Sequence, residues 1–448
     1  MEIRGITEQK LEEIKTCYAE SRAMRDIMEL LTPFQVTPVT AMKIYQHFGP
    51  ACADIVRQSP FNLCQVPGFG FKRIDAIVQK SGGDLRDPKR VHGALFYALE
   101  DARTKDGHLY LEAESLLKAA MQLLNERIPL PQMRVPMSQV EQELSAMIRQ
   151  DEVVSNHGNV YLPKQFLQES ETAQKAVELF LENPAVVDIA QPLERVKHSL
   201  GLNLSKRQSE GVEMVFRHNL SIITGGPGTG KTTTVRGIVA LFQKMGLNIV
   251  LAAPTGRAAK RMSELTGMEA QTVHRLLGMT WNEAAHQVTF QKTEKEPLEA
   301  EAVIVDEMSM VDVKLFQALI AALRYTCRII MVGDADQLPS VGAGNILSEV
   351  IHSGCVPTVC LNEIFRQAKR SLIVENAHHI ISGEPLQKGS KTDDFFFLET
   401  DGEAAQRLVC DLVTTRLPRS YGFDPIRDIQ VPVSYTHLRA HETEADLV

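Results

Sequence analysis

The chain has no long apolar run. Its most apolar extended window, 315–333, is broken by Gln317, Arg324 and Arg328, which excludes a membrane-spanning helix there. It has no Cys-x-x-Cys pair. The seven cysteines stand at 17, 52, 64, 327, 355, 360 and 410, so neither a zinc site nor a disulfide framework is indicated, and free thiols in a reducing compartment are expected. Positive charge is not in excess: the formal net charge of -8 argues against a general basic coat for nucleic acid and leaves only local basic patches. The segment Met1 to Glu20 carries charges throughout and has no apolar centre, so it does not read as a signal peptide, and a cytoplasmic location is expected. What is present is an ordinary globular composition, 44% hydrophobic and 23% charged, in 448 residues, enough for about three domains.

One stretch organises the rest. Gly225-Gly226-Pro227-Gly228-Thr229-Gly230-Lys231-Thr232 fits G-x-x-x-x-G-K-[ST] at every fixed position. It follows an apolar run, Leu220 to Ile223, and precedes a helical pattern from Lys231 to about Lys244. Strand, glycine loop and helix suit phosphate binding. The glycines let the backbone curl so that successive N–H groups point at phosphate oxygens, and the helix start adds its positive end. Gly226, Gly228, Thr229, Gly230, Lys231, Thr232 and Thr233 are the expected cradle of ATP, with Lys231 at the outer phosphates and the Thr232 hydroxyl on Mg²⁺.

Elements alternate strand and helix from about Gly201 to Pro357, which predicts a parallel sheet wrapped by helices, with strands at 220–223, 248–253, 302–306 and 328–332. Ligands should gather at the C-terminal ends of those strands. Val303-Ile304-Val305-Asp306-Glu307 is an apolar strand ending in two acids: Asp306 is expected in the Mg²⁺ shell and Glu307 as the group that orients and deprotonates water. Gln337, in Gly333-Asp334-Ala335-Asp336-Gln337-Leu338-Pro339, is placed to reach a terminal phosphate. Ala253 to Arg261, with Pro254, Thr255, Gly256 and Arg257, reads as a nucleic-acid-facing loop or, equally, as a helix start with a solvated basic face. Thr272 and His274 form a second candidate of that kind, although a lone histidine is more often a structural hydrogen-bonder.

Residues 1–83 read as helical and carry a repeat. Ile3-Arg4-Gly5-Ile6-Thr7 followed by Lys10 to Ile14 is echoed by Val66-Pro67-Gly68-Phe69-Gly70 followed by Lys72 to Ile77, and 37–49 resembles a degenerate third copy. This is the helix-hairpin-helix pattern, in which a tight turn (here Gly68 and Gly70) and an early cation (Lys72) hold a DNA phosphate. Glycine-capped helical connectors would look similar. Residues 84–200 read as helix, helix and hairpin, a winged-helix-like sketch with its turn at Asn156-His157-Gly158-Asn159, running into a connector.

Together, GGPGTGKTT at Gly225–Thr233, APTGRAAKRM at Ala253–Met262, VDEMSM at Val305–Met310 and GDADQLPSVGAG at Gly333–Gly344 resemble the RecD/TraA family of superfamily 1 DNA helicases, and the first 83 residues resemble its longer, RecD-like subgroup. The resemblance implies an α/β fold: a RecA-like domain at 201–357 and part of a second at 358–431, preceded by helix-hairpin-helix (1–83) and winged-helix-like (84–200) regions. It also implies ATP-driven 5′ to 3′ travel on single-stranded DNA or DNA junctions, in repair or recombination. It makes Gln208 the adenine reader and Arg366 a γ-phosphate contact, and it puts a strand-splitting hairpin at 278–298, where a plain surface hairpin reads equally well.

Residues 432–448 depart from the family and read as a foreign tail, and the later family motifs are not found. The expectation is therefore an incomplete motor that binds nucleotide better than it hydrolyses it, since an arginine finger is worth roughly 10³–10⁵ in turnover. The alternative from another class is an ATP-gated DNA-binding clamp that does not translocate. Protein partners are not indicated.

Overall fold

The computed structural model describes residues 10, 21–22, 25–29, 38–66, 70–80, 84–126, 128–182, 184, 188–282, 287–363, 371–389 and 394–432. The chain divides into two compact units, Met1–Leu167 and Gln168–Val448.

The first unit is mainly helical. Helices Pro38–Phe48, Cys52–Gln58, Phe71–Lys80 and Pro88–Asp101 precede strand β1 (Tyr110–Glu112). Helices Ala113–Asn125 and Met137–Arg149, then strands β2 (Val154–Asn156) and β3 (Asn159–Tyr161), complete it. The strands form an antiparallel sheet in the order β1-β3-β2. The β2–β3 turn is the expected one. His157 and Gly158 both take positive φ, 49° and 84°, which suits a two-residue hairpin between right-twisting strands. β1 starts at Tyr110, directly after the buried Leu109.

A buried ion pair fixes the helix that follows the second glycine turn. Arg90 is fully buried; its Nε lies 2.5 Å from Asp75 Oδ1 and its Nη2 2.9 Å from Oδ2. The remaining guanidinium donors reach Leu124 O at 2.9 Å and Leu85 O at 2.8 Å. Removing one partner of such a pair strands the other charge in the core, at a cost of about 3–5 kcal/mol. Helix Phe71–Lys80 is thereby tied to helix Pro88–Asp101 and to the end of helix Ala113–Asn125. Gly70 stands just before this helix and Lys72 on it, where the Lys72 Nζ pairs with Glu126 at 2.8 Å. Gly68 and, apart from Lys10, the first repeat copy lie outside the described residues.

The second unit is built on a six-stranded parallel sheet. Its strands are β4 (Leu220–Thr224), β5 (Ile249–Ala253), β6 (Ala270–Thr272), β9 (Ala302–Val305), β10 (Arg328–Gly333) and β11 (Thr358–Cys360). Strands β7 (Met279–Asn282) and β8 (Gln287–Phe290) form a separate hairpin. The sheet order is β11-β4-β10-β9-β5-β6. β4 and β9 are buried throughout, as continuous apolar strands covered on both faces should be. Helix Lys231–Lys244 has the expected bounds and packs by Phe242 on Phe216 of helix Lys206–Arg217, ring centroids 4.5 Å apart. The four expected strands form within a residue of their predicted ends. β6 and β11, three residues each, were not expected; they are the two edges of the sheet, too short to leave a periodic pattern. β11 pairs with β4, so the sheet runs past the expected domain end at Pro357.

Beyond the sheet, helix Leu372–Ser382 is held by Asn376, whose side chain both accepts from Gln387 N at 2.7 Å and donates to Gln387 O at 3.0 Å. Helices Gly402–Asp411 and Leu417–Tyr421 follow. Residues 433–448, expected to be a foreign tail, lie outside the described residues. Among the described residues no helix is long and apolar enough to cross a membrane.

Candidate active site

Four neighbouring strands, β4, β10, β9 and β5, end on the same edge of the sheet. Thr224 pairs with Gly333, Met331 with Val305 and Ala252 with Val305, so the residues that follow each strand emerge side by side. They are the glycine loop, Asp334 to Gln337, Asp306-Glu307, and Pro254-Thr255. The loops are also tied together: Gly225 N donates to Gly333 O at 3.3 Å and Ala335 N to Thr224 Oγ1 at 3.4 Å.

The glycine loop needs its glycines for two reasons. Gly228 and Gly230 have φ of 76° and 82°, backbone that side chains with a Cβ rarely adopt. Gly225 and Gly226 lack space instead: a Cβ would meet Leu361 O at the first and the His378 ring at the second. The Thr229 hydroxyl donates to Gly226 O at 2.8 Å, and Lys231 Nζ folds back onto the carbonyls of Gly225 and Gly226.

An open cleft of about 710 Å³ lies over this loop, lined by Gly226 to Thr233 together with Asp306, Glu307 and Gln337. Of the predicted catalytic and nucleotide-binding residues, the structure brings together all but two. Arg366 lies outside the described residues. Gln208 does not line the cleft. It is 1% exposed and its carboxamide is used at both ends: Oε1 accepts from Ser205 N at 2.9 Å and Nε2 donates to Gly230 O at 3.1 Å. The expected adenine reader is thus a brace between a helix cap and the glycine loop.

The two acids sit in a demanding environment. Burial is the main cause pushing the Asp306 carboxyl above the usual range, partly offset by the Glu307 N–H and by the charges of Lys231 and Arg261. Glu307 is raised by burial and by the Asp306 charge, with Lys231 and Arg261 again opposing. Glu307 also takes a φ of 53°, a left-handed conformation uncommon outside glycine and a mark of strain at a functional turn. A half-buried carboxylate and a threonine hydroxyl lining one cleft offer an all-oxygen donor set that suits Mg²⁺, which relies on one or two carboxylates plus substrate phosphates.

A second cleft of about 610 Å³ gathers Pro254, Thr255, Gly256 and His274 with Met279, Val288 and Phe290 of the β7–β8 hairpin and with Met310, Asp312, Lys314, Leu315, Val341 and Gly342. Most of the residues expected to face DNA in this unit therefore share one surface with the hairpin. Thr272 and Arg257 are not on it. The Thr272 hydroxyl caps the short helix Val273–Leu276 by accepting from Arg275 N at 3.1 Å, while Arg257 is exposed and reaches Gln430 at 3.4 Å. Three segments run from one cleft to the other: Ala258 back to Thr255, Glu307 on to Met310, and Gln337 on to Val341.

Two residues were not assigned to the nucleotide cleft from sequence. Arg261 lines the nucleotide cleft with Ala258, Met262 and Leu265, a three-to-four spacing on helix Gly256–Thr266 that was readable in principle. His378 lies over Gly226 with Nε2 buried and unpaired among the described residues, and no local signal marks it.

A profile of the AAA domain matches residues 208–343, and one of the ATP-dependent RecD2 DNA helicase HHH domain matches residues 20–110. The ATP-dependent RecD2 DNA helicase of Deinococcus radiodurans is 32% identical over 410 residues, covering 90% of this chain and 56% of that protein. The RecBCD enzyme subunit RecD of Mycolicibacterium smegmatis is 31% identical over 233 residues, 46% of this chain and 40% of that one. The ATP-dependent DNA helicase dda of Enterobacteria phage T4 is 39% identical over 130 residues, 29% of each. The chain thus spans about half the length, or less, of these relatives. With a match to the RecD2-type helix-hairpin-helix domain, a match to the AAA domain and relatives of this kind, the chain is similar over most of its length to RecD-like superfamily 1 helicases.

Proposed function

We propose that the chain is an ATP-dependent DNA helicase or a large part of one, binding Mg²⁺–ATP over the glycine loop and single-stranded DNA in the second cleft. The observation that carries this reading is the meeting of Gly226–Thr233, Asp306, Glu307 and Gln337 on one cleft. In the proposed cycle Lys231 leaves the loop carbonyls and neutralises the outer phosphates. Thr232 and Asp306 would hold the magnesium ion, which would draw charge from the phosphates. Glu307, whose raised proton affinity suits a base, accepts the proton of the attacking water. Gln337 contacts the terminal phosphate, and family resemblance adds Arg366 as a second contact to it. Loss of that phosphate is felt by Gln337, Glu307 and Ala258, each a few residues from the DNA cleft. Family resemblance adds 5′ to 3′ travel, action on junctions, and a role in repair or recombination; a cytoplasmic location is the reading of the composition.

Coupling of the two clefts is the testable core. Single-stranded oligonucleotide affinity is measured by fluorescence anisotropy, with and without a non-hydrolysable ATP analogue and Mg²⁺. The analogue should shift DNA affinity by about 5- to 150-fold, and DNA should shift analogue affinity by the same factor. Lys231→Ala should abolish both shifts. Equal DNA affinity with and without the analogue, at saturating analogue, would refute the coupling.

A further inference from the structure

Within the proposed ATP site, we infer that His378 is a positioning residue: its imidazole seats the Gly226 peptide and so holds the glycine loop from the segment that follows the sheet. This rests on the ATP reading of that loop. Three observations converge. The first is steric. A Cβ at Gly226 would lie 2.9 Å from His378 Cε1 and 3.5 Å from Nε2, and the three nearest heavy atoms all belong to that ring. Gly226 is not among the glycines with left-handed backbone, unlike Gly228 and Gly230. It also stands at an open position of G-x-x-x-x-G-K-[ST]. Neither the backbone conformation nor the phosphate pattern therefore requires glycine at 226. The histidine does.

The second observation is what the ring covers. Gly226 O accepts from Thr229 Oγ1 at 2.8 Å and from Lys231 Nζ at 3.2 Å. Lys231 must leave that carbonyl to reach a phosphate. The ring contact is independent of the lysine, so His378 and Thr229 keep the Gly226 peptide in place while Lys231 changes partner.

The third observation is how the ring is aimed. Helix Leu372–Ser382 is fastened elsewhere: Ser371 caps it by accepting from Val374 N at 3.3 Å, Asn376 bonds both polar groups of the Gln387 backbone, and His379 Nδ1 lies 3.1 Å from Pro385 O. His378 takes no part in those bonds. Its Nε2 is buried with no hydrogen-bond partner among the described residues, which costs stability. What the imidazole contributes here is contact with the loop.

The test is a size-exchange cycle on the 448-residue chain. Affinity for a fluorescent, ribose-labelled, non-hydrolysable ATP analogue with Mg²⁺ is measured for the parent, Gly226→Ala, His378→Ala and the double variant. Gly226→Ala should weaken binding by about 5- to 150-fold, the equivalent of overpacking by a methyl group. His378→Ala alone should weaken it by about fivefold, and the double variant should return to that level. Gly225→Ala meets the backbone carbonyl of Leu361 instead, so His378→Ala should not rescue it. Urea unfolding of the same chains without nucleotide gives a second cycle. Rescue in unfolding but not in binding would make the contact merely structural and overturn the positioning role. So would parent-like affinity in His378→Ala, or equal losses from Gly226→Ala with either residue at 378. If Lys231→Ala binds the analogue as the parent does, the ATP reading falls, and this role with it, whatever the urea cycle shows.

Discussion

The carboxylate of Asp312 occupies the volume that a side chain at position 342 would need, so Gly342 and Asp312 form one packed unit. Asp312 caps helix Val313–Ala321 by accepting from Leu315 N at 2.7 Å, and Val313 N donates to Ala343 O at 3.1 Å. The Ser340 hydroxyl closes the loop through Gly342 O and Gly344 O. Gly342→Ala should push Asp312 from its cap and cost about 1–3 kcal/mol by overpacking. It should lower single-stranded DNA affinity while leaving ATP affinity unchanged, since both residues line the second cleft and neither lines the first. Asp312→Ala removes a cap worth about 1 kcal/mol. In the double variant the losses should sum to less than the two singles, as measured by urea unfolding. Full additivity would mean the two residues act separately.

Arg261 lines the nucleotide cleft together with the two acids, and its charge opposes the rise in proton affinity of both. A cation there can stabilise negative charge developing on a transferred phosphate. Arg261→Ala should slow single-turnover ATP hydrolysis by about 10²-fold, the scale of losing one preorganised charge-stabilising group. Lys260→Ala, one residue earlier and not on the cleft, serves as the control and should hydrolyse normally. Equal rates for the two variants would remove Arg261 from the site.

How much of this was readable depends on how local the constraint is. The glycine loop and helix Lys231–Lys244 were legible because a phosphate cradle fixes four residue types at set spacing within eight consecutive positions. Asp306 and Glu307 were legible because a buried parallel strand is a conspicuous apolar run that must end somewhere polar. The second cleft was legible only in pieces. Its wall is drawn from segments near 255, 274, 290, 312 and 341, and that spacing carries no period. Gln208 shows the limit most clearly. Its residue type and position fit base reading, but whether its carboxamide faces the cleft or the chain is decided by Ser205 and Gly230, and only the folded geometry reveals that choice. His378 reaches Gly226 from a helix far downstream in the chain, and tertiary contacts of this kind leave no local pattern.

Trp281 is the one tryptophan in the chain and is 60% exposed on the β7–β8 hairpin, opposite Val288. Its emission therefore reports the hairpin alone. If the hairpin meets DNA, adding a single-stranded oligonucleotide should quench that emission in proportion to binding. Trp281→Ala should weaken binding by about 1–3 kcal/mol, the scale of one base stacked on an aromatic ring, and Trp281→Phe should recover part of it. Unchanged emission at saturating DNA would assign the β7–β8 pair to a plain surface hairpin.

Glu169 carries a penalty that pH should expose. On helix Pro163–Leu181 its Oε2 is buried with no hydrogen-bond partner among the described residues. Burial, and secondarily the charge of Glu349, raise its carboxyl above the ordinary value. A carboxyl whose folded value is raised binds its proton more tightly in the native state than in the unfolded chain. Below the unfolded value, about 4.3, both states are protonated and nothing is lost. As pH rises from there through the folded value, the unfolded chain ionises freely while the native state must either keep the proton or bury a charge, so stability falls. Glu169→Gln removes that term. The variant and the parent should unfold at the same urea concentration near pH 4, and the variant should become the more stable by pH 7. Curves that stay parallel across that window would show that Glu169 ionises in the native state as freely as in solution.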